Sequence, residues 1–204
     1  MTITPQMRVK IVTLLFFFAA VGYAISYVTF GRDRPLGESY KQVSEYGGDF
    51  TLATDKGKLS LSDLKGKVVV VYFGFMNCTE ACPLSMAKMR TMARRLAPEE
   101  LEQVQGAFIT IDPERDSNAE ELNAFVRNYH PSFIGLTGSP EEITRVSEQY
   151  GVYAKPEDFE GDSATYTVDH SSRFYMIGKD GELLTTMSHS TTPAELVAKV
   201  RTML

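Results

Sequence analysis

The most apolar stretch of the chain lies near its start, between polar flanks. Residues 11–30, IVTLLFFFAAVGYAISYVTF, contain no charged side chain. At about 1.5 Å per residue, a helix of this length reaches roughly 30 Å, the thickness of the hydrocarbon core of a bilayer. The pattern predicts a transmembrane anchor at 11–30 behind a short cytoplasmic N-terminus at 1–10. A cleaved signal peptide, with Gly22 and Ala24 near its cut site, is the alternative.

Both interpretations export the rest of the chain. The N-terminus is not the Arg- and Ser-rich amphipathic stretch of a mitochondrial transit peptide, which favours a bacterial protein. We therefore expect a single-pass protein of the bacterial inner membrane whose domain faces the periplasm. A polar, glycine-containing linker at 31–48 is expected to separate the anchor from a folded domain at 49–204.

The folded domain contains two runs, at 67–76 and 106–111, that are rich in β-branched and aromatic residues. Runs that are apolar on both faces suit strands in the middle of a sheet that is covered on both sides. Further strands are predicted at 49–53, 133–136, 172–177 and 182–187. The last two form a hairpin around the turn Lys179-Asp180-Gly181.

Helices are predicted where a proline or a capping pair precedes a helical pattern. They span 83–96, 117–129 (Ser117 with Glu120), 139–150 (Ser139 with Glu142) and Thr192 to the C-terminus (with Glu195). The elements thus alternate between strand and helix, and end in a hairpin and a final helix. This order predicts an α/β domain with a central mixed sheet flanked by helices, the thioredoxin-like topology with insertions.

Length and charge narrow the possible functions. A chain of 204 residues suits one domain plus an anchor, and 43% hydrophobic residues supply a core. The net charge is −5 and no basic stripe is present. These features exclude nucleic acid as an expected partner.

The chemistry is concentrated in two cysteines, Cys78 and Cys82, which lie between a predicted strand and the N-terminus of a predicted helix. One close pair is not a disulfide framework. Helix N-terminal N–H groups stabilise negative charge, so the thiol pKa is expected to fall here. At helical i, i+4 spacing the two sulfurs can form a redox-active dithiol and disulfide, or converge on a soft metal such as Cu(I) or zinc.

Of the three histidines, His170 is the candidate third ligand. It follows Asp169 directly before a predicted strand of the hairpin, and in a thioredoxin fold the loop that enters this strand packs against the dithiol. Asp169 could orient the imidazole or supply a weaker oxygen ligand. His130, at a helix end, and His189, in a polar stretch, are expected to be ordinary surface residues.

Four co-linear motifs resemble the Sco/SenC family of copper-binding proteins. The resemblance covers roughly residues 49–204, most of the exported domain. The motifs are VVVVYFGF ending in Cys78-x-x-x-Cys82-Pro83, IDPERD at 111–116, GLTGSPEEI at 135–143 and YTVDHSSRFYMI at 166–177.

The resemblance implies that copper, as Cu(I) or Cu(II), binds Cys78, Cys82 and His170. It further implies a membrane-anchored metallochaperone whose partner is cytochrome c oxidase subunit II or a related copper protein. The chaperone delivers copper to the CuA site or keeps the cysteines of that site reduced, and thiol–disulfide oxidoreductase activity stays open. The departures lie around the first cysteine. Met76-Asn77 stand where the family often has Thr-His, and Thr79-Glu80 stand where it often has Pro-Asp.

Other functions remain open from the sequence. A membrane-anchored thiol–disulfide reductase, with Cys78 as the attacking sulfur, is the main alternative. A peroxiredoxin is disfavoured, because YFGFMN does not resemble the loop before a peroxidatic cysteine.

Two further groups of residues are candidates for the surroundings of the dithiol. Met86 and Met89 share a helical stripe with Cys82, which predicts core packing rather than a copper path, whereas Met76 and Met92 are left open. The charged segment that includes Asp112, Glu114, Arg115 and Asp116 is by itself a solvated turn or a structural ion-pair cluster. Its match to the family motif adds a third possibility, that it borders the site.

Overall fold

The computed structural model describes residue 21, residues 45–79, 81–158 and 166–170, and residues 172–204, with the backbone alone given at 155–158 and 166–170. The chain divides into two compact units, Met1–Tyr40 and Lys41–Leu204, and the elements below belong to the second. The predicted anchor at 11–30 lies outside the described residues, except for Val21. Within the described part of the chain, no helix is long and apolar enough to cross a membrane.

The second unit is built on a five-stranded mixed sheet. Its strands are β3 (Val68–Gly74), β4 (Val104–Thr110), β5 (Ile134–Leu136), β8 (Arg173–Ile177) and β9 (Leu183–Ser188). Their order across the sheet is β5-β4-β3-β8-β9. Every residue of the central strand, β3, is buried, as its apolar sequence predicts. This strand pairs in parallel with β4 and antiparallel with β8.

The described helices are α1 (Ala81–Arg95), α2 (Pro98–Glu102), α3 (Ala119–Arg127), α4 (Pro140–Gln149) and α5 (Pro193–Arg201). The capping boxes predicted for α4 at Ser139 and for α5 at Thr192 are confirmed. The predicted cap Ser117 is wrong by one residue. The side chain of Asn118 instead accepts the N–H groups of Glu120 and Glu121.

The strand predicted at 49–53 is present as β1 (Thr51–Thr54). It pairs antiparallel with β2 (Gly57–Ser60), which was not predicted, and a 3-10 helix follows at Leu61–Leu64. The short helix α2 was not predicted either. Pro98 opens it, because proline fits the first turn of a helix.

A second hairpin contains the candidate histidine. Strands β6 (Ala154–Asp158) and β7 (Tyr166–His170) pair antiparallel, with Ala154 opposite His170. The expectation that His170 lies in a loop before a strand is therefore corrected. It is the last residue of β7, and β8 begins three residues later.

Candidate metal and dithiol site

The site is formed where β3 ends and the chain turns into α1. Gly74, the last residue of β3, allows the two elements to approach closely. A Cβ atom at this position would lie 2.8 Å from the Sγ of Cys82 and 3.0 Å from ring atoms of Tyr72 and Phe108. Any larger residue would therefore compete with the sulfur for space.

The two cysteines differ in their surroundings. Neither is part of a disulfide. Cys82 lies in the first turn of α1 and is 0% exposed, whereas Cys78 lies in the preceding loop and is half-buried. The backbone N–H of Cys82 donates to the Sγ of Cys78 over 3.3 Å. A peptide dipole at the helix N-terminus thus points at the more accessible sulfur and stabilises negative charge on it.

A hydrogen bond between the side chains couples the thiols. This bond to Cys78, followed by burial, raises the pKa of the Cys82 thiol far above its usual range. Cys82 is therefore the protonated partner in the metal-free protein. The predicted dithiol is brought together, with one accessible nucleophile and one buried thiol.

Two tyrosines form part of the surroundings of the thiols. Tyr72 is 0% exposed, and burial raises its pKa. Burial also raises the pKa of Tyr129. Both phenols therefore stay neutral and can donate hydrogen bonds near the sulfurs.

The topology brings His170 to the same edge of the sheet. In the register of β3 and β8, Tyr72 lies opposite Phe174. The end of β3 that leads to Cys78 is therefore beside the beginning of β8. Because the three residues from His170 to Arg173 span at most about 11 Å, the backbone of His170 lies near this edge. Asp169 precedes it in β7, opposite Lys155.

The other two histidines have different surroundings. His130 is half-buried and its Nδ1 is 2.8 Å from the Oγ of Ser132, and burial, followed by the charge of Arg94, lowers its pKa. His189 is exposed, and its N–H donates to the carbonyl oxygen of Ser172 over 3.0 Å. Among the side chains that are described, no group of three His, Cys, Asp or Glu could hold a metal ion.

The methionines contribute to the core. Met86 and Met89 are fully buried, which confirms their prediction as a core stripe, and Met92 is fully buried as well. Met76 is partly buried and packs against the core beside Cys78. Its backbone N–H donates to Asp116 in the charged segment. That segment therefore borders the site. The contact joins Met76 and Asp116 across 40 residues of sequence, which spacing alone could not identify.

The family relationship follows from comparisons with known proteins. The SCO1/SenC family model matches residues 38–204. The mitochondrial SCO2 homolog of Bos taurus is 37% identical over 175 residues, which are 84% of this chain and 64% of the bovine protein. The chain thus spans less than two thirds of that relative.

Solved structures agree with this relationship. Bradyrhizobium japonicum ScoI, determined with copper bound, has a TM-score of 0.70 and 31% identity, and the match covers 78% of this chain and 99% of that protein. BsSco, described as a member of the Sco family of cytochrome c oxidase assembly proteins with a disulfide switch, has a TM-score of 0.61 and 30% identity over 78% of this chain and 94% of its own. These matches confirm the predicted mixed α/β, thioredoxin-like fold, and the chain belongs to the SCO1/SenC family.

Proposed function

We propose that this protein is a copper-binding metallochaperone of cytochrome c oxidase assembly, with Cys78, Cys82 and His170 as its copper ligands. It delivers copper to the CuA site of oxidase subunit II, or keeps the cysteines of that site reduced. The observation that carries the proposal is the pair of thiols at the start of α1, one buried and one half-buried. The copper-bound structure of ScoI supports the same cargo.

The donor set suits copper. Thiolates are soft ligands that select Cu(I), and an imidazole is a common third ligand for copper. The half-buried Cys78 keeps the cargo accessible to a partner, while the buried Cys82 holds it from the protein side. Binding requires loss of the proton on Cys82, so copper uptake is expected to release a proton.

A thiol–disulfide reductase is the second candidate. It is favoured by the accessible sulfur of Cys78 at a helix N-terminus, which suits attack on a disulfide of a partner. The disulfide switch attributed to BsSco supports a redox role in a relative. Both functions use the sulfur atoms of Cys78 and Cys82, and a measurement of copper binding distinguishes between them.

The deciding experiment is an anaerobic Cu(I) titration of the reduced full-length chain. The variants are Cys78→Ser, Cys82→Ser and His170→Ala, with His189→Ala as the matched control. We expect one tightly bound copper per chain, a large loss of affinity in the three ligand variants, and no change in the control. No tight copper binding by a chain that still reduces a model disulfide would transfer the assignment to a reductase.

The membrane arrangement is part of the proposal. Residues 11–30 anchor the chain once in the bacterial inner membrane, residues 31–48 form a linker, and the domain at 49–204 faces the periplasm. The lack of charge in the anchor segment supports this arrangement. Protease treatment of intact spheroplasts should digest the domain, and protection of the domain until lysis would contradict the proposed orientation.

A further inference from the structure

The segment from Ile111 to Asp116 holds the loop that carries Cys78. The Oδ2 atom of Asp116 accepts the N–H of Met76 over 3.0 Å and the hydroxyl of Thr110 over 2.8 Å. The N–H of Ile111 donates to the carbonyl oxygen of Gly74 over 2.8 Å. Two successive parts of the dithiol loop are therefore bonded to the end of β4.

The carboxylate of Asp116, which accepts these bonds, is itself held in place by its surroundings. Asp116 is 2% exposed, and its N–H donates to the carbonyl oxygen of Asp112 over 2.9 Å. The hydroxyl of Thr110 also accepts the N–H of Asp112 over 3.0 Å. Each side chain in this network restrains the next, so the carboxylate has little freedom to follow the loop if the loop moves.

A second contact restrains the same loop from its other side. The guanidinium of Arg115 pairs with the carboxylate of Asp112 and lies over the ring of Phe75, with its Cζ 5.8 Å from the ring centroid. Phe75 in turn accepts the N–H of Cys78 at its carbonyl oxygen over 3.3 Å. The residues held by the segment thus stand two and three positions before the accessible sulfur.

We propose that Asp116 is a positioning residue for the dithiol, and that the loop Ile111–Asp116 clamps Cys78 at the distance from Cys82 that copper needs. Cys82 is fixed by α1, but Cys78 precedes the helix and depends on the loop for its place. The copper part of this inference rests on the proposed function. The clamp favours the reduced arrangement, in which the N–H of Cys82 donates to the Sγ of Cys78.

The identity of the accepting atom gives a sharp test. Both bonds end on the same oxygen, Oδ2, so the single amide oxygen of an asparagine can accept both. Asp116→Asn should retain the clamp, and Asp116→Ala should lose it. Asp49→Ala is the matched control, because Asp49 also accepts two backbone N–H groups, from Phe50 and Ser62. It lies beside the β8–β9 turn, at the opposite end of the sheet.

Two measurements on the reduced full-length chain decide the matter. We expect Asp116→Ala to lower the Cu(I) affinity about tenfold, the effect of losing one charge-assisted hydrogen bond. In a thiol redox buffer it should shift the dithiol–disulfide equilibrium toward the disulfide by about tenfold, which is about 30 mV. Asp116→Asn and Asp49→Ala should stay within about twofold of the wild type in both measurements.

The outcomes separate the clamp from the proposed function. If the wild type binds no copper, the proposed function fails, and the redox equilibrium alone still tests the clamp. The inference would be overturned if Asp116→Ala and the wild type had the same dithiol–disulfide equilibrium and the same Cu(I) affinity. It would also be overturned if Asp116→Asn and Asp116→Ala changed these quantities equally. Should the alanine variant not fold, Thr110→Val removes one of the two donors without changing the side-chain shape. It is expected to lower the affinity about threefold, and an unchanged affinity would refute the clamp.

Discussion

Replacing Gly74 by alanine should disturb the dithiol as well as the fold. The added methyl group would lie 2.8 Å from the Sγ of Cys82 and 3.0 Å from the rings of Tyr72 and Phe108. All three neighbours are fully buried. Overpacking of this kind costs about 1–3 kcal/mol of folding free energy. The sulfur is the nearest of the three, so part of that strain falls on the position of Cys82.

The expected loss of Cu(I) affinity follows from the same contact between the added methyl group and the sulfur. A carbon–sulfur approach of 2.8 Å is well inside contact distance, so the sulfur must move by several tenths of an ångström or the helix start must shift. Displacement of one of two thiolate ligands is expected to weaken Cu(I) binding by about tenfold or more, equivalent to about 1.4 kcal/mol. The assay is a competition titration with a Cu(I) chelator, together with urea unfolding of the same preparation.

The control is Gly106→Ala. A Cβ atom at Gly106 in β4 would lie 2.4 Å from the ring of Phe133, so this variant also overpacks the sheet, but without touching a thiol. It should lose at least as much stability and keep its copper affinity. If Gly74→Ala bound copper as tightly as Gly106→Ala at matched stability, the reasoning that this glycine makes room for the sulfur would be refuted.

Three further predictions concern stability. Asn123→Ala should lower the free energy of unfolding in urea by about 2–4 kcal/mol without changing copper binding. The reason is that this buried amide donates to the carbonyl oxygens of Ala119 and Gly135 and accepts the N–H of Gly135. A loss of stability below about 1 kcal/mol would contradict that account. Met89→Ala should lower the free energy of unfolding by about 2–5 kcal/mol, because Met89 is fully buried, and should leave the copper stoichiometry unchanged. Loss of a bound copper would instead indicate that methionines take part in copper transfer. Burial raises the pKa of Asp116, so its contribution to stability is fully present below the unfolded pKa of about 3.9 and is lost as pH rises through the folded pKa. The wild type should therefore lose stability relative to Asp116→Asn as pH rises above about 3.9, and an unfolding free energy that depends on pH in the same way in both proteins would exclude this.

The elements that could be predicted are those whose signal is local. The apolar run of β3 and the capping boxes at Ser139 and Thr192 each carry their cause within a few residues. The dithiol belongs to this group too, because its place between a strand and a helix is visible in the sequence. The misplaced cap of α3 shows the limit, since Ser117 and Asn118 are both good caps and only the backbone geometry selects one.

The elements that could not be predicted depend on distant partners. Strand β6 has the sequence AKPED, which reads as a loop by its proline and its charges. It forms a strand because β7 pairs with it, and that pairing changes the setting of His170. The role of Asp116 is similar. Its partner Met76 lies 40 residues away, and only the parallel pairing of β3 with β4 brings the two together.

The proposed chaperone must hold copper and also release it, and the two cysteines divide these tasks by burial. A thiol arriving from a partner can reach Cys78, which is half-buried, but not Cys82, which is 0% exposed. Exchange of ligands should therefore begin at Cys78, the sulfur whose loop is held by Asp116 rather than by a helix. A restraint built from a few hydrogen bonds can yield when a partner docks, whereas the first turn of α1 cannot move without disturbing the core around Met86 and Met89. The sequence departures at Met76-Asn77 fall in this adjustable loop, so they can change the ease of transfer while leaving both sulfur ligands in place.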